Sequence, residues 1–414
     1  MVAPIIIQSD ASVSKHFLQD NHSIVQPFPL SLVAMKKILS FLKKEPMLLL
    51  SMIAAVAALI LNPPTADLLG KIDWRTLGTL FMMLTILEGF KKENIFRPLI
   101  RFSTRFRSVR SLSLFLVFCV FFTSMFVTND VSLIIFVPLT IMLFRKSGKE
   151  QYILPVISME NIAAIRGSLL MPFGSPQNLF LYGRFGVGIG TFMLHMAPLC
   201  VSSALLLIVF IVVMSRKERG TAIDFGDGAS VDDDSATAYR KPWYLVLFGL
   251  VMVVIITKTQ YWPVALVIVF VAMLVLDRSI LLKTDYVILA TFFCFFVFSS
   301  LISTHPSVSQ MLAKLVAGHE YWWAIGISQI ISNVPASIVL YPFSTNNAGL
   351  IYGLDTAGLC SLIGSLASVI NYRIYVREYP GRGKAFVKTF TLISWAFFAI
   401  VVIPGWLLSR WAFV

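Results

Sequence analysis

The chain has 414 residues, of which 57% are hydrophobic and 13% charged, and its mean hydropathy is +0.81. That balance excludes a soluble domain and describes an all-α polytopic membrane protein, because the apolar runs are helix-length rather than the short alternating strands of an outer-membrane barrel. The net charge of +13 does not point to nucleic acid: under the topology below, 27 of the 34 Lys and Arg lie on one side, six on the other, and Arg166 alone within the membrane.

Residues 1–46 form an N-terminal segment expected in the cytoplasm. It has no compact basic, apolar and small-residue run of the kind a cleavable signal peptide needs. The first span is predicted over 47–61 and the second over 74–90, returning to the most basic loop of the chain, 91–110. Residues 111–144 then carry no charge except Asp130. A single span needs about 20 residues and two full spans about 40 plus a loop, so this stretch reads as a hairpin that dips in and out from one face. Its tip is Thr128-Asn129-Asp130, deep in the bilayer, where irregular backbone must be buried in protein or line a watery cavity.

The crossing at 152–182 holds Glu160, Asn161, Arg166, Gly167, Pro172, Gly174, Pro176 and Asn178, so a helix interrupted near Gly174-Ser175-Pro176 is predicted. A span over 191–214 follows, and residues 215–242, rich in Gly and Asp, read as a cytoplasmic linker. After a connecting span within 243–261, the order repeats over 262–414. Spans 262–276 and 286–303 lead to a hairpin, 321–343, with Ser332-Asn333-Val334-Pro335 at its middle. A second broken helix, 346–372, and a last span, 386–408, complete the chain.

The repeat, 47–214 against 262–414, extends to single residues. Lys71-Ile72-Asp73-Trp74 matches Lys283-Thr284-Asp285-Tyr286, Thr128-Asn129 matches Ser332-Asn333, and Phe173-Gly174-Ser175 matches Ile363-Gly364-Ser365. Charge placement sets the copies in opposite orientations, an inverted-topology repeat of about nine full spans with polar tips near the midplane. The expected location is a bacterial inner membrane, N-terminus cytoplasmic and C-terminus outside.

Intramembrane polar residues are costly, so each is a candidate. Asn129 and Asn333 could coordinate a small cation or bond an oxyanion, or simply cap the hairpin helices. Asp130 could bind a proton or cation, or stand in a static ion pair with Arg166. Arg166 could present a fork of donors to an anionic substrate, or neutralise Glu160 or Asp130, of which Glu160, six residues away, is off the helical neighbour spacing. The stretches Gly174-Ser175-Pro176-Gln177-Asn178 and Gly364-Ser365-Leu366-Ala367-Ser368 would expose N–H groups and hydroxyls at half-helix ends, or serve close helix packing. Asp355 could be a second titrating group or a cap at the break. The four cysteines lie in apolar segments without CxxC spacing, the five histidines show no ligand spacing, and no catalytic triad or Walker motif occurs. No enzyme, cofactor or resident metal is therefore expected; the expected partners are a small anionic substrate and the lipid bilayer.

Phe126-Val127-Thr128-Asn129-Asp130-Val131-Ser132-Leu133, the run from Gly167 to Asn178, Ile331-Ser332-Asn333-Val334-Pro335 and Gly364-Ser365-Leu366-Ala367-Ser368 resemble the four signature segments of the ion transporter superfamily. Its members include bacterial arsenite exporters, sodium/proton antiporters, citrate carriers and divalent anion/sodium symporters, and the likeness is to the citrate-transporter-like anion-permease branch. The resemblance implies an elevator-type secondary transporter built as a homodimer and coupled to H or Na. Both tips lack the final threonine of the sodium-coupled carboxylate carriers, and the Asn-Asp tip resembles that of the arsenite exporters. An arsenite or antimonite exporter, or a sodium/proton antiporter, is the alternative reading.

Overall fold

A computed structural model describes residues 45–63, 67–103, 105–218 and 240–410. The expected N-terminal segment up to residue 44 and most of the linker, 219–239, lie outside the described residues. Among the described residues the regular elements are all helices, and five of them are long and apolar enough to cross a membrane.

The first repeat begins with α1 (Pro46–Leu61), a short α2 (Leu68–Lys71) and α3 (Trp74–Lys92). The Asp73 carboxylate accepts from the Thr76 N–H at 3.0 Å and starts α3. Its counterpart Asp285 accepts from the Val287 and Ile288 N–H groups at 3.1 and 3.2 Å and starts α12 (Tyr286–Thr304). The repeated Asp-aromatic pair is thus a helix N-cap used once in each copy. In the basic loop the chain forms α4 (Arg97–Ser103), which the charge pattern did not foretell.

The first hairpin comprises α5 (Val109–Val127) and α6 (Asn129–Lys146), and the second α14 (Glu320–Ile331) and α15 (Asn333–Leu340). The first broken helix consists of α7 (Ile153–Gly167) and α8 (Pro176–Arg184), followed by α9 (Ile189–Met214). Helix α7 ends well before Gly174: the chain is unwound from Ser168 to Ser175. Pro172 has no N–H to give to a preceding turn and pushes its neighbour out of the helical region, so the break is a loop rather than a point.

Helices α10 (Lys241–Thr257) and α11 (Trp262–Lys283) lead into α12. Helix α11 runs past the expected 276 and kinks at Asp277, whose side chain takes Lys92 and, at 3.2 Å, Arg240. Helix α13 (Pro306–Val316) precedes the second hairpin, in a stretch between the expected span 286–303 and the expected hairpin 321–343. The second broken helix is α16 (Asn347–Ala357) and α17 (Leu366–Glu378), and α18 (Gly383–Leu408) ends the described chain.

The packing crosses between repeats. Helix α1 lies on α12 and α3 on α11; α6 lies on α17 and α15 on α8. Each arm leaving a hairpin tip therefore rests on the distal half of the other repeat's broken helix. Within each repeat the hairpin also grips its own broken helix, α5 on α7 and α14 on α16. Glycine makes those approaches possible: a Cβ on Gly167 would overlap the Phe121 carbonyl, and one on Gly353 the Tyr321 carbonyl. Gly167→Ala and Gly353→Ala are each expected to lose about 1–3 kcal/mol of stability through overpacking. A falling thermal midpoint in detergent checks this, and an unchanged midpoint in both would refute the close approach.

Candidate functional site

The two hairpin tips turn in the same way. Thr128 has φ 72° and ψ 153°, and Ser332 has φ 68° and ψ 157°, a backbone region that is essentially reserved for glycine. The Asn129 N–H donates to the Gly174 carbonyl at 3.3 Å, and the Asn333 N–H to the Gly364 carbonyl at 3.2 Å. Each tip is thus fastened to the break of its own repeat. The breaks need glycine because they fold back on themselves: a Cβ on Gly174 would lie 2.5 Å from the Ser168 carbonyl oxygen, and one on Gly364 2.5 Å from that of Ala357.

Holding a threonine and a serine at positive φ costs on the order of 1–3 kcal/mol at each tip. Thr128→Gly and Ser332→Gly are expected to stabilise the fold by about 1 kcal/mol, as strain relief outweighs added unfolded-state entropy, while the hydroxyl is lost. Calorimetry in detergent tests this; a fall in stability would show that the hydroxyls hold the turns.

The tips meet the half-helix starts in one narrow cleft. Asn129, Asp130, Asn333 and Ser365 line it together with Pro176, Leu366, Val334 and Ile288. Its volume of about 10 Å³ is close to the space one water needs. Helix α8 begins here with Ser175 as its cap, accepting from the Asn178 N–H at 3.4 Å, and Pro176 as its first residue. The N–H ends of two half-helices thus face the same point.

A wider cavity of about 280 Å³ adjoins the cleft and shares Asp130, Val334, Leu366 and Ile288 with it. Thr128 and Ser332 line it, and Lys91 and Arg373 add positive charge against Glu45, Glu88 and Asp285. Lys91 is held by Glu88 at 2.6 Å. One Asp130 carboxylate oxygen is buried without a hydrogen-bond partner among the described residues, and Asp285 and Lys91 act on it electrostatically.

The remaining candidates sit one layer behind. Gln177 Nε2 donates to Asp355 Oδ1 at 3.1 Å, and Asn178, with its amide nitrogen turned to the carboxylate, donates to both oxygens at 3.1 and 3.2 Å. Asn161 Nδ2 donates to Ser368 Oγ at 3.0 Å. Each broken helix is thereby tied by its first half to the first turn of the other's second half. Arg166 is fully buried, its three guanidinium nitrogens have no hydrogen-bond partner among the described residues, and the groups acting on it are led by Tyr321 and Asp355. The expected Asp130 partnership does not form. Arg166 ends α7 on the side of α16, whereas Asp130 opens α6 toward the cavity.

The structure also brings in residues that sequence reasoning missed. Arg373, Lys91, Glu88 and Asp285 ring the cavity, and none of them is among the residues the sequence puts forward for the site. Glu160 is fully buried and takes a hydrogen bond from Thr140 Oγ1. Its signal was a lone carboxylate in an apolar run, noted only among the residues that break the crossing.

Residues 32–364 match the model of the family described as Citrate transporter, CitMHS. The chain belongs to the citrate transporter family. This CitMHS protein is 32% identical over 311 residues to the inner membrane protein YbiR of Escherichia coli (strain K12), covering 73% of this chain and 80% of that one. It is also 27% identical over 316 residues to the uncharacterized transporter MJ0456 of Methanocaldococcus jannaschii, covering 76% of this chain and 84% of that one. The CitMHS protein is a membrane transporter, and the cleft between its hairpin tips is its candidate site.

Proposed function

We propose that this protein is an ion-coupled carrier of a small carboxylate or other oxyanion in a bacterial inner membrane. The observation that carries the reading is the meeting of both strained tips and both half-helix starts in one cleft that opens into a larger, charged cavity. Such convergence supplies N–H dipoles, amides and hydroxyls suited to an anion and its coupling ion without a cofactor. The cleft, at the size of a water, suits the coupling ion, H or Na, at Asn129, Asp130, Asn333 and Ser365. The wider cavity suits the substrate, with Thr128 and Ser332 as hydrogen-bonding groups and Arg373 as counter-charge.

Arg166, Asp355, Gln177, Asn178 and Ser368 then act from behind, holding the two broken helices in register. In this reading the arms, breaks and half-helices move together as an elevator, in a homodimer, while α1, α3, α11 and α12 stay fixed. The family description favours a carboxylate as cargo.

Counterflow in proteoliposomes loaded with citrate, succinate, sulfate, phosphate or arsenite tests the proposal, with sodium or choline and with or without a pH gradient. Saturable exchange of one anion supports it and assigns the coupling ion. Equal fluxes with and without protein across the panel would sink it. The excess of acids over bases around the wider cavity favours one second reading, a sodium/proton antiporter, which sodium-dependent proton release without anion exchange would reveal.

A further inference from the structure

One face of α12 lines cavities at both of its ends. Ile288 and Phe292 border the cavity beside the tips, whereas Phe296, Ser300 and Thr304 border a recess at the opposite end. These five residues recur every four positions, a single ridge of the helix. From Ile288 to Thr304 the ridge rises about 24 Å, most of a hydrocarbon core. Helix α1 repeats the pattern, with Pro46 and Met47 at the first cavity and its following residues Asn62 and Pro63 at the recess.

The two spaces thus lie toward opposite ends of α12, with a closed stretch between them. The closure is aromatic: Phe292 and Phe296 lie 6.1 Å apart between ring centres, and Phe180 lies 5.6 Å from both Phe296 and Tyr341. Beside them Ser299 Oγ donates to the Ile338 carbonyl at 3.0 Å and joins α12 to α15.

The ends differ in charge. The cavity beside the tips carries Glu45, Glu88, Asp130 and Asp285 against Lys91 and Arg373. The recess consists of two adjoining hollows of about 160 and about 300 Å³ that share Lys71, Ser300 and Thr304, and among the described residues its charged lining is Lys71 and Arg184 with no acid. Asp73 holds Arg184 in place at 3.0 Å from outside the lining. Lys71 forms no ion pair among the described residues, and neither the Ser300 nor the Tyr341 hydroxyl has a hydrogen-bond partner there.

We propose that this recess is a second anion site, in which Lys71 and Arg184, with the Ser300 and Tyr341 hydroxyls, take up a small multivalent oxyanion before the aromatic closure opens. The inference rests on the carrier reading above. Lys71 belongs to the loop that charge placement puts outside the cell. The recess then gathers anions from the outside and raises their local concentration at that mouth.

The test uses the full-length protein in proteoliposomes with Ser303→Cys placed in the recess, labelled by a membrane-impermeant thiol reagent, with the native cysteines measured in parallel. Citrate or sulfate at about ten times its half-saturating concentration is expected to slow labelling about tenfold, as occupancy of the recess dictates. Lys71→Gln is expected to erase the protection and Lys71→Arg to restore it. Protection is expected to persist in Asn129→Ala, where the central site is disabled. An unprotected cysteine in protein that exchanges citrate would overturn the proposal, as would protection indifferent to Lys71→Gln. Protection without any exchange would uphold the recess and fail the carrier reading instead. Kinetics supply a second readout: Lys71→Gln raises KM about tenfold for anion offered on the recess side and leaves the other side's KM unchanged. Equal changes on both sides would overturn the assignment.

Discussion

Asn129→Ala and Asn333→Ala are each expected to abolish anion exchange while the protein stays folded. Both asparagines line the cleft, and their backbone N–H groups fasten the tip to the break. Alanine keeps the backbone bond and removes only the side-chain amide, so the turn survives and the ligand contact does not. A hydrogen bond to a charged ligand contributes about 1.5–3 kcal/mol, so losing one of two symmetric contacts in the cleft lowers affinity for the coupling ion held there about tenfold to a hundredfold, and exchange that needs that ion stops at ordinary concentrations. Counterflow at saturating and limiting citrate, beside a melting curve, separates the outcomes. Full exchange in both variants would reduce the asparagines to helix caps.

Asp130→Asn is expected to uncouple the carrier. Asp130 lies where cleft and cavity join, and one of its oxygens is buried without a partner among the described residues. An unpaired carboxylate there is costly unless a proton or cation neutralises it, which ties its occupancy to the coupling ion. Asparagine has nearly the same shape but neither titrates nor carries charge. The variant should therefore still exchange anion for anion, yet lose accumulation against a gradient. With one coupling ion per substrate, a tenfold ion gradient drives about tenfold accumulation in the native protein, and the variant should merely equilibrate. Accumulation that survives the change would place coupling elsewhere.

Arg166 shows why tertiary context matters for such groups. By sequence it could neutralise Asp130 or fork onto a substrate. In the fold it is enclosed, within electrostatic reach of Asp355, and lines neither the cleft nor the wider cavity. Helical spacing along one chain ranks neighbours only within a helix, whereas Arg166 and Asp355 come from opposite repeats whose broken helices cross.

What the sequence determined by itself was the membrane class, the helical architecture and the places where helices cannot continue. Apolar runs of helix length, glycine and proline inside them, and polar triplets at their middles act through local backbone rules, so they are legible in one dimension. The repeated Asp-aromatic motif was visible too, though its work as an N-cap emerged only with the Asp73 and Asp285 hydrogen bonds. Tertiary structure alone decided the rest. It chose where α7 unwinds, made a helix of Pro306–Val316, and brought Arg373, Lys91 and Asp285 to one cavity. Those outcomes depend on helices from opposite repeats lying against each other, α6 on α17 and α1 on α12. No periodicity within a segment encodes which distant helix will cover it, because burial is paid for by contacts that only the folded arrangement creates.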